Sequence, residues 1–169
     1  LWQPKKKHID KSQMTKFRKY VNSKFGYKFL NYSDLYNWSI KFPKEFWRTF
    51  LNFSKIKYNG SSNQVCHDFN KMPGAEWFPD VKLNFAQNLL NFQGDKVAIR
   101  FFGENIVHRE LTYTELFNEV KNFSLALRKL GVKKGDRIVG FIPNIPEAVI
   151  AMLSSSAIGA VWSSCSPDF

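Results

Sequence analysis

The stretch Arg137 to Phe169, RIVGFIPNIPEAVIAMLSSSAIGAVWSSCSPDF, decides the fold. Arg137 to Ile142 is a short run of β-forming residues between the Gly135-Asp136 turn and Pro143, and it predicts a buried strand. Pro146 suits the first position of a helix, where its missing N–H costs nothing and its φ is preset. The apolar run behind it predicts a buried helix. Ala157-Ile158-Gly159-Ala160 then hands the chain to Val161-Trp162-Ser163, a second buried strand. Strand, helix and strand in that order make the right-handed crossover of a parallel α/β sheet.

The pattern extends upstream. Val97 to Phe102 is β-rich, Gly103-Glu104-Asn105 turns it, and Ile106 to Leu111 returns, which predicts a hairpin. Thr112 with Glu115 forms a capping box, with Leu111 and Leu116 at the staple positions. Leu116, Val120, Phe123, Leu127 and Leu130 form the apolar stripe of the helix that follows, and Gly131 ends it. The order is β-hairpin, α, β, α, β.

Before Val81, Pro73-Gly74 and Pro79 forbid a long helix. Asn84, or a residue near it, opens a short helix ending by Phe92, and Gln93-Gly94-Asp95 is a turn. Residues 9–26 predict one helix, since Met14, Phe17, Val21 and Phe25 recur at spacings of three and four and Gly26 suits a left-handed stop. Ser33 or Asp34 caps a second helix through Trp38. Pro43 opens a third, with Phe46, Trp47, Phe50 and Leu51 on its apolar side. Tyr58 to Asn63 reads as a loop. There is no internal repeat and no low-complexity tract.

A chain of 169 residues can bury a core of ordinary size. Aromatic residues make up 17% and are spread throughout, which argues against disorder. No apolar run reaches the roughly 18 residues of a spanning helix. The longest, Ala148 to Val161, is interrupted by Ser154, Ser155 and Ser156. Lys5 to Lys7 mimic the charged start of a secretory signal, but Ile9 to Tyr20 is not the apolar region that must follow. These features lead us to expect a soluble cytoplasmic protein with no membrane span. Leu1 in place of an initiator Met points to further residues upstream.

The net charge is +11, and residues 1–60 carry all of the excess, with 14 Lys or Arg against Asp10, Asp34 and Glu45. A basic front suits nucleic acid, an anionic membrane surface or phosphate-rich ligands. Compositional bias toward Lys, Asn, Phe and Tyr explains it without any partner. That is the preferred reading, so no nucleic acid is expected.

Cys66 and Cys165 do not make a disulfide framework. Cys66-His67 lacks a second ligand pair at zinc spacing, so no metal site is expected and both thiols read as reduced. Neither G-x-x-x-x-G-K-[ST] nor G-x-G-x-x-G occurs. Ser61-Ser62 does not lie between a strand and a helix. Ser154 to Ser156 lies inside a helix, where hydroxyls bond back to the preceding turn. His8, His67 and His108 have no Ser, Cys or Asp arranged as a triad, so nucleophilic hydrolysis has no support.

Residues 71–92, with MPGAEWFPDVKLNFAQNLL, resemble the segment before the main domain of the acetoacetyl-CoA synthetases. Residues 110–116, ELTYTEL, resemble the first shared motif of the adenylate-forming acyl-CoA synthetase superfamily, and 131–147 and 157–169 continue it. The ending WSSCSPDF is the most specific piece, because acetyl-CoA synthetases carry a glycine-containing sequence there. The opening LWQP and the aromatic-rich helices agree, and the resemblance covers essentially the whole chain in order.

The resemblance implies an α/β fold. An α-helical N-terminal preface (1–60) and a connecting segment packed on the main domain (61–95) precede the truncated start of the AMP-binding domain (96–169). This last part holds the first β-hairpin and the βαβαβ portion of the large N-terminal domain of an adenylate-forming enzyme. Trp77, Phe78 and Asn84 to Leu90 would act as scaffold between the preface and that domain.

The implied activity is an acid–thiol ligase of lipid and ketone body metabolism. It activates acetoacetate with ATP and transfers the acyl group to coenzyme A, with Mg²⁺. Oligomeric state stays open. The family's phosphate loop, nucleotide pocket and C-terminal lysine lie beyond the position matching Phe169. No catalytic residue carries over, and the chain reads as an N-terminal fragment inactive by itself, with an unpaired hydrophobic sheet edge.

Ser163 to Phe169 follows the last parallel strand at its carboxyl end, where open α/β sheets place ligands. In the family this region lies near the path of coenzyme A and the acyl group, which makes Ser164, Ser166 and Asp168 the candidate binding residues. A simple strand-ending turn at Pro167-Asp168 is the alternative. Cys165 reads as packing. Two other functions remain open: a short-chain acyl-CoA synthetase acting on acetate or propionate, and a basic, non-enzymatic interaction module.

Overall fold

The chain divides into two units, Leu1–Lys82 and Leu83–Phe169, in a computed structural model that describes residues 2–104 and 108–167. The first unit holds α1 (Lys6–Lys11), α2 (Gln13–Phe25), α3 (Tyr32–Lys41) and α4 (Pro43–Ser54). Four two-residue strands follow: β1 (Asn59–Gly60), β2 (Cys66–His67), β3 (Glu76–Trp77) and β4 (Val81–Lys82).

Ser12 breaks the single helix expected over 9–26. Its backbone is extended, its Oγ accepts from the Thr15 N–H at 3.1 Å, and its hydroxyl donates to the Ile9 carbonyl at 2.8 Å. A serine gains more by capping one helix and closing another than by continuing either. Gly26 ends α2 in the left-handed conformation, as expected. The cap of α3 is Asn31 rather than Ser33 or Asp34, and Asp34 is its reciprocal partner three residues on. This longer box starts the helix earlier, and it runs past Trp38 to Lys41, where Pro43 opens α4.

Phe17, Val21, Leu35 and Trp38 form the buried centre of the helices. Phe17 meets Phe46 and Phe50 edge-on at centroid distances of 5.8 and 5.4 Å, and Trp38 meets Phe46 at 5.6 Å. These are the favourable aromatic geometries. The buried indole N–H of Trp38 donates to Glu45 Oε1 at 2.7 Å.

Beyond the helices, β1 pairs with β4 and β2 with β3, both antiparallel. The loop expected at Tyr58 to Asn63 therefore contains a two-residue strand. At Gly60, φ is +91°, and an added Cβ would stand 2.0 Å from the Asp80 carbonyl oxygen, so only glycine fits this crossing.

The second unit holds α5 (Phe85–Leu89), β5 (Val97–Phe102), β6 (His108–Thr112) and α6 (Tyr113–Lys129). It continues with β7 (Arg137–Phe141), α7 (Pro146–Ala157) and β8 (Val161–Cys165). β5 and β6 form the expected antiparallel hairpin, with a register shift between Val97 and Ile99. Asn105 of its turn, and Ile106 and Val107 of its return strand, lie outside the described residues. Thr112 and Glu115 form the expected capping box. β7 and β8 pair in parallel across α7, with Arg137 opposite Val161 and Phe141 opposite Cys165.

One expectation about burial is corrected. On α6 the inward residues are Leu116, Val120, Ser124 and Leu127, whereas Phe123 is 39% and Leu130 81% exposed. Ser124 keeps the four-then-three spacing from Val120 to Leu127, and its small side chain lets α7 approach. The Ser124 hydroxyl donates to the Ser154 carbonyl at 3.3 Å, and the Ser154 hydroxyl donates to the Val120 carbonyl at 3.1 Å. Ser155 and Ser156 bond back to Ala151 and Met152 as expected, but Ser154 instead ties the two helices together.

Among the described residues β7 and β8 are covered on one face only. Ile138, Gly140 and Trp162 are half-buried on one face, while Val139 at 70% and Phe141 at 67% are exposed on the other. Alternation places successive side chains on opposite faces, and among the described residues only one face is covered. The core of the unit joins Ala86 and Leu90 of the α5 region, Leu111, Leu116 and Val120, and Ile150 and Leu153 of α7.

Candidate functional site

The carboxyl ends of the two parallel strands lie side by side. The Ile142 N–H donates to the Cys165 carbonyl at 3.2 Å, one step past the Phe141–Cys165 pair. The chain then turns through Pro143 and Asn144, with the Ile145 N–H bonded to the Pro143 carbonyl at 2.8 Å, and α7 starts at Pro146.

Ser164 stands opposite Gly140 in β8 and is exposed, and Ser166 follows the strand and is half-buried. Asp168 lies outside the described residues. Cys165, expected to pack, is a free, exposed thiol, because the strand end carries nothing over it among the described residues. Cys66 is the buried thiol, and its S–H donates to the His67 carbonyl at 3.2 Å.

Two contacts shaping this end were not anticipated. The Trp162 ring occupies the space beside Gly140, so that a Cβ built on Gly140 would stand 2.5 Å from the indole. A lone glycine within a strand signals such an approach. Across the start of α7, Arg109 of β6 pairs with Glu147, a contact spanning 38 positions of sequence that no local pattern announces. Partial burial raises the Glu147 carboxyl. The hydrogen bond from Arg109, a backbone hydrogen bond and the Arg109 charge outweigh it and hold the carboxyl below the usual glutamate range. Glu147 also sits in the first turn of its helix, where a negative charge is favoured.

Hydroxyls and backbone groups at a strand end can donate to and accept from a polar ligand. His108 lies edge-on to Phe102 at 4.8 Å. Among the described residues no group of three or more His, Cys, Asp or Glu could hold a metal ion. Nor is any described helix long and apolar enough to cross a membrane.

Residues 85–169 match the family model described as AMP-binding enzyme, and residues 32–89 match that described as acetyl-coenzyme A synthetase N-terminus. The chain belongs to the AMP-binding enzyme family. Within it, the chain is 41% identical over 174 residues to the acetoacetyl-CoA synthetase of Xenopus tropicalis, covering 100% of this chain and 25% of that protein. It is 42% identical to that of Macaca fascicularis with the same coverage. The solved acetoacetyl-CoA synthetase of Streptomyces lividans superimposes with a TM-score of 0.88 at 34% identity, over 99% of this chain and 26% of that one. The chain thus spans about a quarter of the length of the relatives it matches. The expected fold is the one observed, that of the N-terminal part of an adenylate-forming enzyme.

Proposed function

We propose that this chain is part of an acid–thiol ligase acting on acetoacetate. The carrying observation is collinear identity, over the entire chain, with acetoacetyl-CoA synthetases from an amphibian and a primate. In the proposed reaction a carboxylate oxygen of acetoacetate attacks the α-phosphorus of ATP and pyrophosphate leaves. The thiol sulfur of coenzyme A then attacks the acyl carbon and AMP leaves with the bonding pair, the thiol proton passing to solvent or a base. The first step replaces a poor oxide leaving group with a stable phosphate.

Mg²⁺ would stabilise charge on the transferring phosphates. Among the described residues no group of three or more His, Cys, Asp or Glu would hold it. Within the proposal, Ser164, Ser166 and Asp168 border the path of coenzyme A and the acyl group. The exposed Ser164 hydroxyl at the carboxyl end of a parallel strand supports this reading. A cytoplasmic place of action and a role in ketone body use belong to the same proposal.

The test is pyrophosphate release and thioester formation by the protein encoded by the continuous reading frame, with acetoacetate, acetate and propionate compared. The expected result is the highest kcat/KM with acetoacetate, and a higher value with acetate or propionate overturns the assignment. Alanine at Ser164 and Ser166 is expected to raise KM for coenzyme A or acetoacetate, and unchanged kinetics for all three substrates removes both serines from the site. The 1–169 chain by itself is expected to release no pyrophosphate.

A further inference from the structure

One cavity in the helical unit has a strongly basic lining among the described residues. It has a volume of about 480 Å³ and opens between the end of α2, the first turns of α4 and the loop at Asn63-Gln64. Three cations line it: Lys24 from α2, and Lys44 and Arg48 from α4, four residues apart and so on one helix face. Lys24 is not free to swing at random, because its ammonium lies over the Phe25 and Tyr20 rings at 5.4 and 5.8 Å. The Arg48 guanidinium donates to the Asn63 carbonyl, which fixes its plane and leaves N–H donors over.

Glu45 is the single carboxylate on the lining. It is already engaged, accepting from the Trp38 indole at 2.7 Å and the Tyr27 hydroxyl at 3.4 Å. None of the three cations forms an ion pair among the described residues. Three cations against one committed carboxylate leave a double positive excess. An arginine fork combined with two lysine point charges matches tetrahedral anions bearing two or more charges better than it matches a single carboxylate.

We propose that this cavity binds a phosphate-bearing anion. The basic front of the chain then contains a specific site and is not only a solvated surface. The inference does not rest on the ligase reading, since it concerns binding to the helical unit alone.

Lysine footprinting of the full-length protein tests it. The protein is treated with an amine-acylating reagent and read by mass spectrometry, in pyrophosphate or in sodium chloride at matched ionic strength. Lys24 and Lys44 are expected to be protected saturably by pyrophosphate, while Lys7, Lys11 and Lys55 of the same unit react as before. Lys44→Gln is expected to shift the midpoint for protection of Lys24 by about tenfold, as for loss of one charge-assisted contact. Equal protection by chloride, protection spread evenly over all lysines, or an unchanged midpoint in Lys44→Gln overturns the site. Inorganic phosphate and AMP, run in parallel, distinguish a free anion from a nucleotide. Thioester formation by Lys44→Gln is expected to stay at the wild-type rate, which keeps this outcome separate from any failure of the proposed reaction.

Discussion

In the helical unit the buried centre is Phe17, Val21, Leu35 and Trp38, ringed by further Phe and Tyr side chains. In the α/β unit it is aliphatic, from Ala86 and Leu90 to Ile150 and Leu153, and two serines bridge α6 and α7. Large rings fill the space between the helices and meet edge to face, a favourable aromatic geometry. Small residues do the reverse. Ser124 and Ser154 bring two helices close enough for hydroxyls to reach the neighbouring backbone. One unit is therefore specified by ring shape and the other by close approach and sheet register.

The comparison is broken most strongly by removing an anchor from each core. Trp38→Ala should lower stability by about 4 kcal/mol and Leu153→Ala by about 3 kcal/mol, both measured by urea unfolding. If the aromatic core is held by shape, Trp38→Phe should recover only part of the loss, because the bond to Glu45 is gone. Full recovery would show that neither the indole N–H nor the larger ring is needed there.

A smaller effect is expected at the parallel pair. Gly140→Ala should cost about 2 kcal/mol by overpacking against Trp162. It should also shift tryptophan fluorescence, since Trp162 is the one tryptophan of residues 83–169. Unchanged emission would mean that the ring is free to move away.

The smallest effect concerns the start of α6. Thr112→Ala should cost about 1 kcal/mol. The backbone and side-chain hydrogen bonds from Thr112 hold the Glu115 carboxyl below the usual glutamate range. A carboxyl lowered on folding contributes stability above its unfolded pKa of about 4, and that stability is lost as pH falls through the lower folded value. The stability difference between wild type and Thr112→Ala should therefore narrow on acidification. Unfolding curves at a series of acidic pH values check this, and a constant difference would show that the Thr112 hydroxyl does not hold Glu115, whose bond from the Thr112 backbone N–H the variant keeps.

Features set by neighbours in sequence were legible. Thr112 and Glu115 lie three residues apart, Pro43 and Pro146 preset helix starts, and Gly26 and Gly131 accept the left-handed turn. Features set by what packs above a residue were not. Ser12 is compatible with a helix interior, and its role as a break depends on two helices meeting there. Phe123 is more apolar than Ser124, yet the closeness of α7 selects the smaller side chain. Val139 and Phe141 have the composition of buried residues, and among the described residues nothing covers their face of the pair.

The candidate binding end follows the same rule. Ser164 at a strand end could be read from the order of strand and turn. The Arg109–Glu147 pair could not, because its partners sit on different elements. Cys165 is exposed among the described residues, and no local pattern says what would pack on it.

The side chain of Asn84 holds two helix ends at once. Its Oδ1 accepts from the Gln87 N–H at 2.9 Å, and its Nδ2 donates to the Ser156 carbonyl at 2.8 Å and the Ala157 carbonyl at 3.3 Å. The start of α5 and the finish of α7, more than seventy positions apart, are thus clasped by one planar amide whose two ends cannot be exchanged. Aspartate would keep the first grip and turn the second into repulsion between a carboxylate and two carbonyls. Serine or threonine could cap α5 but is too short to span both. The rule that many residues can cap a helix therefore narrows at this position to a vocabulary of one.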